Sequence, residues 1–152
     1  MVEPLPGYWY HSLRTRPRDH LIPLAASNYT GKASLRVCAG VSSIRPDWDI
    51  KESSIIDVET DTLANILEPF PDLVNKCELC SIDVEGYEKQ VLEGIDFKNF
   101  RPSVFVVEYY RFTQDGSYGG SLEQEWEYIL FENGYKRVAS TELNHIYQRV
   151  DN

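Results

Sequence analysis

The stretch SIDVEGYEKQVLEGIDF, residues 81–97, contains a strand, a turn and a helix in immediate succession. Its approach, CELCSIDV at 77–84, is apolar and strand-like, and it runs into Asp83, Glu85 and Glu88. Beyond Gly86 the pattern changes to helical spacing, with Tyr87, Val91 and Leu92 predicted to face inward and Gly94 to end the helix. A strand that feeds directly into a helix is the building unit of an α/β sheet. Carboxylates at that joint have three uses: they complement the positive start of a helix, bind a cation, or line an active site.

The flanking sequence repeats the unit. After Pro102, SVFVVEYY at 103–110 is the most strand-like run in the chain, apolar enough for burial on both faces. GSYGGS at 116–121 reads as a loop, either a lid or plain surface. Residues 122–132 read as a helix with Leu122, Trp126, Ile129 and Leu130 on one side, and 135–140 and 145–150 as two strands around a turn. On the N-terminal side, 54–60 is a predicted strand. A helix follows that Asp61 or Thr62 can cap and that Pro69 and Pro71 end. Residues 20–27 and 33–39 read as strands around the turn NYTGK, 1–3 as a strand stub and 7–16 as a helix. Residues 42–51 read as a polar loop; Ser42 and Ser43 could contact cofactor or substrate, although a polar loop needs no such role. The expected architecture is one α/β domain over 1–152, with a Rossmann-like, mostly parallel sheet and an antiparallel C-terminal strand pair. Ligands in such sheets bind at the carboxyl ends of the strands, which puts the carboxylate cluster on the functional rim.

Composition narrows the class. The 152 residues are 42% hydrophobic and 26% charged, and 24 acidic against 15 basic residues leave a formal charge of −9. Nucleic acid would be repelled, and the short basic run at 14–18 has Asp19 beside it. With neither an apolar run of about 18 residues nor a signal-peptide pattern, a soluble, cytoplasmic protein without membrane contact is expected. Cys77 and Cys80 form a CxxC, yet on a strand these positions face opposite sides, so core packing is preferred to a zinc or redox pair. Tyr8, Trp9 and Tyr10 are assigned to packing of the first helix rather than to stacking on a ligand. The three histidines show no metal spacing.

At this point several motifs resemble one family in order and spacing. TDTL (60–63), SIDVEGYEKQVLEG (81–94) and RPSVFVVE (101–108) are similar to segments of the FkbM-type methyltransferases. So are VEPLPGYWYHSL (2–13) and AASNYTGK (25–32). The resemblance covers nearly the whole chain, and its central motif is the specific one. It implies a Rossmann-like enzyme that uses S-adenosyl-L-methionine to methylate a hydroxyl of a small molecule or saccharide. By that resemblance Glu3 is the acid that holds the cofactor ribose, and Asp83 also lies at the cofactor edge. The pattern departs from the family at the start. With the ribose acid at position 3, the first strand and its glycine-rich cofactor loop would lie before Met1, so truncation is expected. The strands ending at Glu3 and Asp83 would each keep an unpaired edge, open to self-association into a homo-oligomer.

Methyl transfer to a hydroxyl needs the oxygen positioned and its proton removed. Asp83 is the first candidate for base or substrate anchor, with Glu85 on the same side and Glu108 ending the strongest strand. Asp83 and Glu85 equally suit a plain helix start, and Glu88 reads as an exposed helix acid. Together Asp83, Glu85 and Glu108 offer oxygen ligands for a divalent ion, but no histidine or ligand spacing supports a metal. Two rival readings remain beside the enzyme: a non-catalytic methyltransferase-like protein-interaction module, and a metal-dependent enzyme with an acidic site.

Overall fold

The computed structural model describes residues 1–38, 41–46, 54–109, 111–112, 118–119 and 123–150. Along the chain run α1 (Pro6–Thr15), β1 (Ala25–Ser27), β2 (Gly31–Val37), β3 (Ser54–Thr62), α2 (Leu63–Leu67), α3 (Pro71–Lys76) and β4 (Leu79–Ile82). They are followed by α4 (Glu88–Glu93), β5 (Val104–Glu108), β6 (Arg111–Phe112), β7 (Tyr118–Gly119), α5 (Glu127–Glu132), β8 (Tyr135–Ser140) and β9 (Asn144–Arg149).

The architecture is mixed α/β, and its sheets are mixed as well. Among the described residues one sheet has the order β1-β3-β2, a second the order β4-β5-β9-β8, and β6 and β7 form a two-stranded ribbon. Among the described residues β1·β3 and β4·β5 pair in parallel, as does the isolated bridge Val2–Ile22, while β2·β3, β5·β9, β8·β9 and β6·β7 are antiparallel. The mostly parallel sheet expected from the sequence is therefore corrected, while the antiparallel C-terminal pair is present. Alternating elements reveal which units exist, but pairing direction depends on how the connections cross.

Local chemistry explains the element ends. Thr62 caps α2, its Oγ1 accepting from Asn65 N at 3.2 Å. Asp61 instead braces the turn after β1, accepting from Thr30 Oγ1 at 2.7 Å and Asn65 Nδ2 at 2.8 Å. These bonds to the ionised form hold its carboxyl below the usual range. Pro71, predicted to end a helix, starts α3, where its missing N–H costs nothing. Helix α1 buries no residue, and Tyr8 and Tyr10 are 41% and 70% exposed, so neither is a core residue as helix packing would have it. Trp9 donates its indole N–H to Glu3 O at 2.9 Å.

Gly94 ends α4 as expected, but for a different reason. Its φ of −84° is open to any residue. A Cβ there would lie 2.1 Å from Ser27 O and 3.4 Å from Thr62 Cα. Glycine is required because α4 docks directly on the backbone at the ends of β1 and β3. Ala64 N donates to Gly94 O at 3.0 Å and ties α2 to the same point.

The main core lies on the second sheet, with Phe105, Val107, Leu92, Leu130 and Tyr147 essentially inaccessible. A smaller core of Ala25, Leu35 and Val58 supports the first sheet. Within the main core a polar chain is fully engaged: Tyr147 OH donates to Glu127 Oε1 at 2.8 Å, and Arg137 pairs with the same oxygen at 3.2 Å. Arg137 Nη1 also lies 3.2 Å from His145 Nε2. Arginine can only donate, so Nε2 accepts and Nδ1 carries the proton toward Ser140 Oγ at 2.8 Å. Of the GSYGGS segment at 116–121, only β7 falls within the described residues; the rest, like Leu122, lies outside them.

Candidate functional site

Strand β4 ends at Ile82, and Asp83 is the next residue; its parallel neighbour β5 ends at Glu108. The turn after β4 carries Glu85 back toward both. One carboxylate oxygen from each of Asp83, Glu85 and Glu108 lies within 4.8 Å of the others. The three acids singled out in the sequence therefore meet at the carboxyl ends of two adjacent strands.

This turn is sharper than the strand-to-helix joint predicted. Glu85 has φ 54° and Gly86 φ 89°, consecutive left-handed residues of which only glycine is at ease there. Three contacts hold the turn. Glu88 Oε1 accepts from Gly86 N at 3.0 Å and Val84 N at 3.3 Å. Ser43 Oγ donates to Val84 O at 3.3 Å and accepts from Arg45 N at 3.2 Å. The Arg45 guanidinium lies where a Gly86 side chain would be, since a Cβ there would come within 2.6 Å of Nη1.

Two expectations are corrected here. Glu88 is 5% exposed and binds the turn from inside, not from the helix surface. Ser43 is 2% exposed and carries the turn's second anchor, not a plain loop position. The spacing E-G-Y-E at 85–88 was the available signal for Glu88, because a carboxylate two residues past a left-handed glycine can reach back to its N–H. For Ser43 and Arg45 no local signal exists.

Crowding sets the proton balance. Burial, and then the nearby charge of Asp83, push the Glu108 carboxyl up to about 9. Burial, followed by Asp83 and Glu88, pushes Glu85 up to about 7. Glu108 Oε2 is buried and finds no donor if every acid is ionised. A proton on Glu108 removes that deficit by allowing a hydrogen bond to Asp83. Both shifts favour the protonated form, more strongly at Glu108 than at Glu85.

The acids open on a cavity of about 780 Å³, lined by Glu3, Asp83 and Glu85, by the rings of Tyr8 and Tyr87, and by apolar side chains including Ile44. Its size falls in the range of small-molecule sites. Glu108 is not part of the lining, although its carboxylate lies beside those of Asp83 and Glu85. Glu3 is half-buried, its Oε1 accepting from Leu5 N at 2.8 Å. The carboxylate trio has the hard oxygen donors a divalent ion takes. Cys77 and Cys80 are free thiols, and burial pushes Cys80 up to about 12, far from a reactive thiolate. Cys77 caps α3 rather than lying in the strand. Among the described residues, no helix is long and apolar enough to cross a membrane.

The family model described as the methyltransferase FkbM domain matches residues 1–137. The chain belongs to the FkbM methyltransferase family. Neither the comparison with curated proteins nor that with solved structures gives a match. The resemblance drawn from the central motif is thereby confirmed, and the motif's residues acquire physical roles in this FkbM domain. Asp83 and Glu85 are the acids of the cavity, Gly86 makes the turn, Glu88 holds it, and Gly94 lets α4 reach the first sheet.

Proposed function

We propose that this FkbM domain is an S-adenosyl-L-methionine-dependent O-methyltransferase acting on a hydroxyl of a small molecule or saccharide, on a Rossmann-like scaffold. The observation that carries the reading is the meeting of Asp83, Glu85 and Glu108 at the strand ends, with Asp83, Glu85 and Glu3 all lining one cavity. The cavity suits such a ligand: its carboxylates complement a cationic sulfonium, and Tyr8 and Tyr87 place two aromatic residues in its lining.

When bound, S-adenosyl-L-methionine supplies a methyl group on a positively charged sulfur. Glu3 would hold the ribose hydroxyls, and Asp83 would accept a hydrogen bond from the substrate hydroxyl and orient its oxygen. Glu85, held near 7, is matched to taking up the hydroxyl proton at neutral pH. Glu108, protonated up to about 9, donates to Asp83 and fixes its direction.

Isothermal titration with S-adenosyl-L-methionine, combined with transfer of radiolabelled methyl to a panel of hydroxylated small molecules and saccharides, tests this reading. Micromolar cofactor binding is expected, weakened about tenfold in Glu3→Gln, a change of about 1.4 kcal/mol. Asp83→Asn should lower methyl transfer by about a hundredfold or more. A folded protein that gives no heat with the cofactor would sink the enzyme and leave the protein-interaction module, which the edge of β4 that no strand covers among the described residues favours.

A further inference from the structure

Val84 stands between Asp83 and Glu85, two of the acids that line the cavity. Strand β4 has already ended at Ile82, and both backbone groups of Val84 are taken by side chains instead. Its N–H donates to Glu88 Oε1 at 3.3 Å, and its carbonyl accepts from Ser43 Oγ at 3.3 Å. Glu88 belongs to the helix that the turn starts, whereas Ser43 is 41 residues away in sequence.

Ser43 is itself fixed from the first sheet. Its N–H donates to Arg36 O at 3.1 Å and its carbonyl accepts from Arg36 N at 3.0 Å, an antiparallel bridge to β2. The hydroxyl accepts from Arg45 N at 3.2 Å, which leaves its proton for Val84 O. At 2% exposure, water is a poor substitute for either bond. The turn needs such a fixture. Glu85 is a non-glycine residue at φ 54°, a conformation its Cβ disfavours. Burial, and then the charges of Asp83 and Glu88, oppose an ionised carboxyl where Glu85 sits. Both costs fall if the peptide joining Val84 to Glu85 rotates and carries Glu85 out of the cluster. That rotation must swing the Val84 carbonyl off Ser43, because the carbonyl is part of the same rigid plane.

We propose that Ser43 is a positioning residue of the acid site: by holding the Val84 carbonyl it keeps Glu85 left-handed and beside Asp83 and Glu108. The first sheet, through the bridge to β2, thereby sets how closely the acids meet. This role follows from the backbone geometry and needs no methyltransferase activity; only its kinetic consequence rests on the function proposed above.

A double-mutant cycle in thermal melts of the full chain tests it. Glu85→Gly relieves both costs and should raise the parent's Tm by about 2–4 °C. In Ser43→Ala the peptide is free to rotate, so the same change should gain less than half as much. A serine that only fills space leaves the gain unaltered. Should Ser43→Ala not fold, Ser43→Cys, whose thiol is a weak donor, enters the cycle with the same expectation. A gain reduced by less than half, or no gain in the parent, would overturn the proposal. Where the parent transfers methyl, Ser43→Ala should lower kcat at least tenfold and keep the cofactor Kd within about twofold. A smaller loss of kcat would overturn the role, and a weakened Kd beside it would show that Ser43, which also lines the cavity, touches the cofactor instead. A parent without methyl transfer would sink the function proposed above and leave the melts to decide the role of Ser43.

Discussion

At the residue scale, the half-buried Glu108 and the buried Glu88 put the same residue type to opposite purposes. Glu108 keeps a proton because burial and Asp83 oppose its charge. A carboxyl that binds its proton more tightly folded than unfolded contributes its full stability below the ordinary carboxyl range. That contribution is lost as pH rises through the folded value, here toward 9. Glu85 adds the same trend toward 7. Thermal melts of Glu108→Gln between pH 5 and 9 should therefore show a flatter pH dependence than the parent. With solvent screening allowed for, the variant's gain at pH 8 should be about 2–4 °C. A variant as pH-sensitive as the parent would show that the proton sits elsewhere. Glu88 instead serves as acceptor for two turn amides. Urea denaturation should find Glu88→Ala destabilised by about 1–3 kcal/mol, with Glu88→Gln close to the parent, because an amide oxygen can still receive both N–H groups.

At the element scale, α4 is fixed less by its own six residues than by what it touches at either end. Its start is the left-handed turn held by Ser43 and Glu88, and its end is Gly94 pressed on Ser27 O. The obstruction there is backbone, which cannot rotate aside. Gly94→Ala should cost about 3 kcal/mol or more in chemical unfolding, at the upper end of overpacking effects. A neutral result would mean that α4 and β1 are farther apart than 2.1 Å to Ser27 O from a Gly94 Cβ implies. Helix α2 belongs to the same joint through the Ala64–Gly94 bond, so the TDTL and LEG segments act as one structural unit.

On the scale of the whole molecule, the two sheets differ in support. The β4-β5-β9-β8 sheet backs the large aromatic and aliphatic core, including the edge-to-face pair Phe105 and Tyr135 with centroids 5.0 Å apart. The β1-β3-β2 sheet rests on Ala25, Leu35 and Val58, and β2 forms its outer edge. Native-state hydrogen exchange should therefore protect β5 and β9 amides about tenfold or more over those of β2, a local difference of at least about 1.4 kcal/mol. Uniform protection would show that the two cores unfold as one. The acids of the site lie on the better supported sheet, which suits groups that must keep a fixed geometry.

Periodicity and turn residues were enough to place most helices and strands, because those signals depend on neighbours a few positions apart. The carboxylate cluster was legible too: acids closing apolar strands stand out, and adjacent parallel strands bring their ends together whatever the loops do. The family motif added its identity from local spacing alone. Pairing direction, the burial of Glu88 and Ser43, the raised proton affinity of Glu108 and the contact that demands Gly94 were decided only in three dimensions. Each depends on groups far apart in sequence, and both burial and strand pairing are fixed by what arrives from elsewhere in the chain.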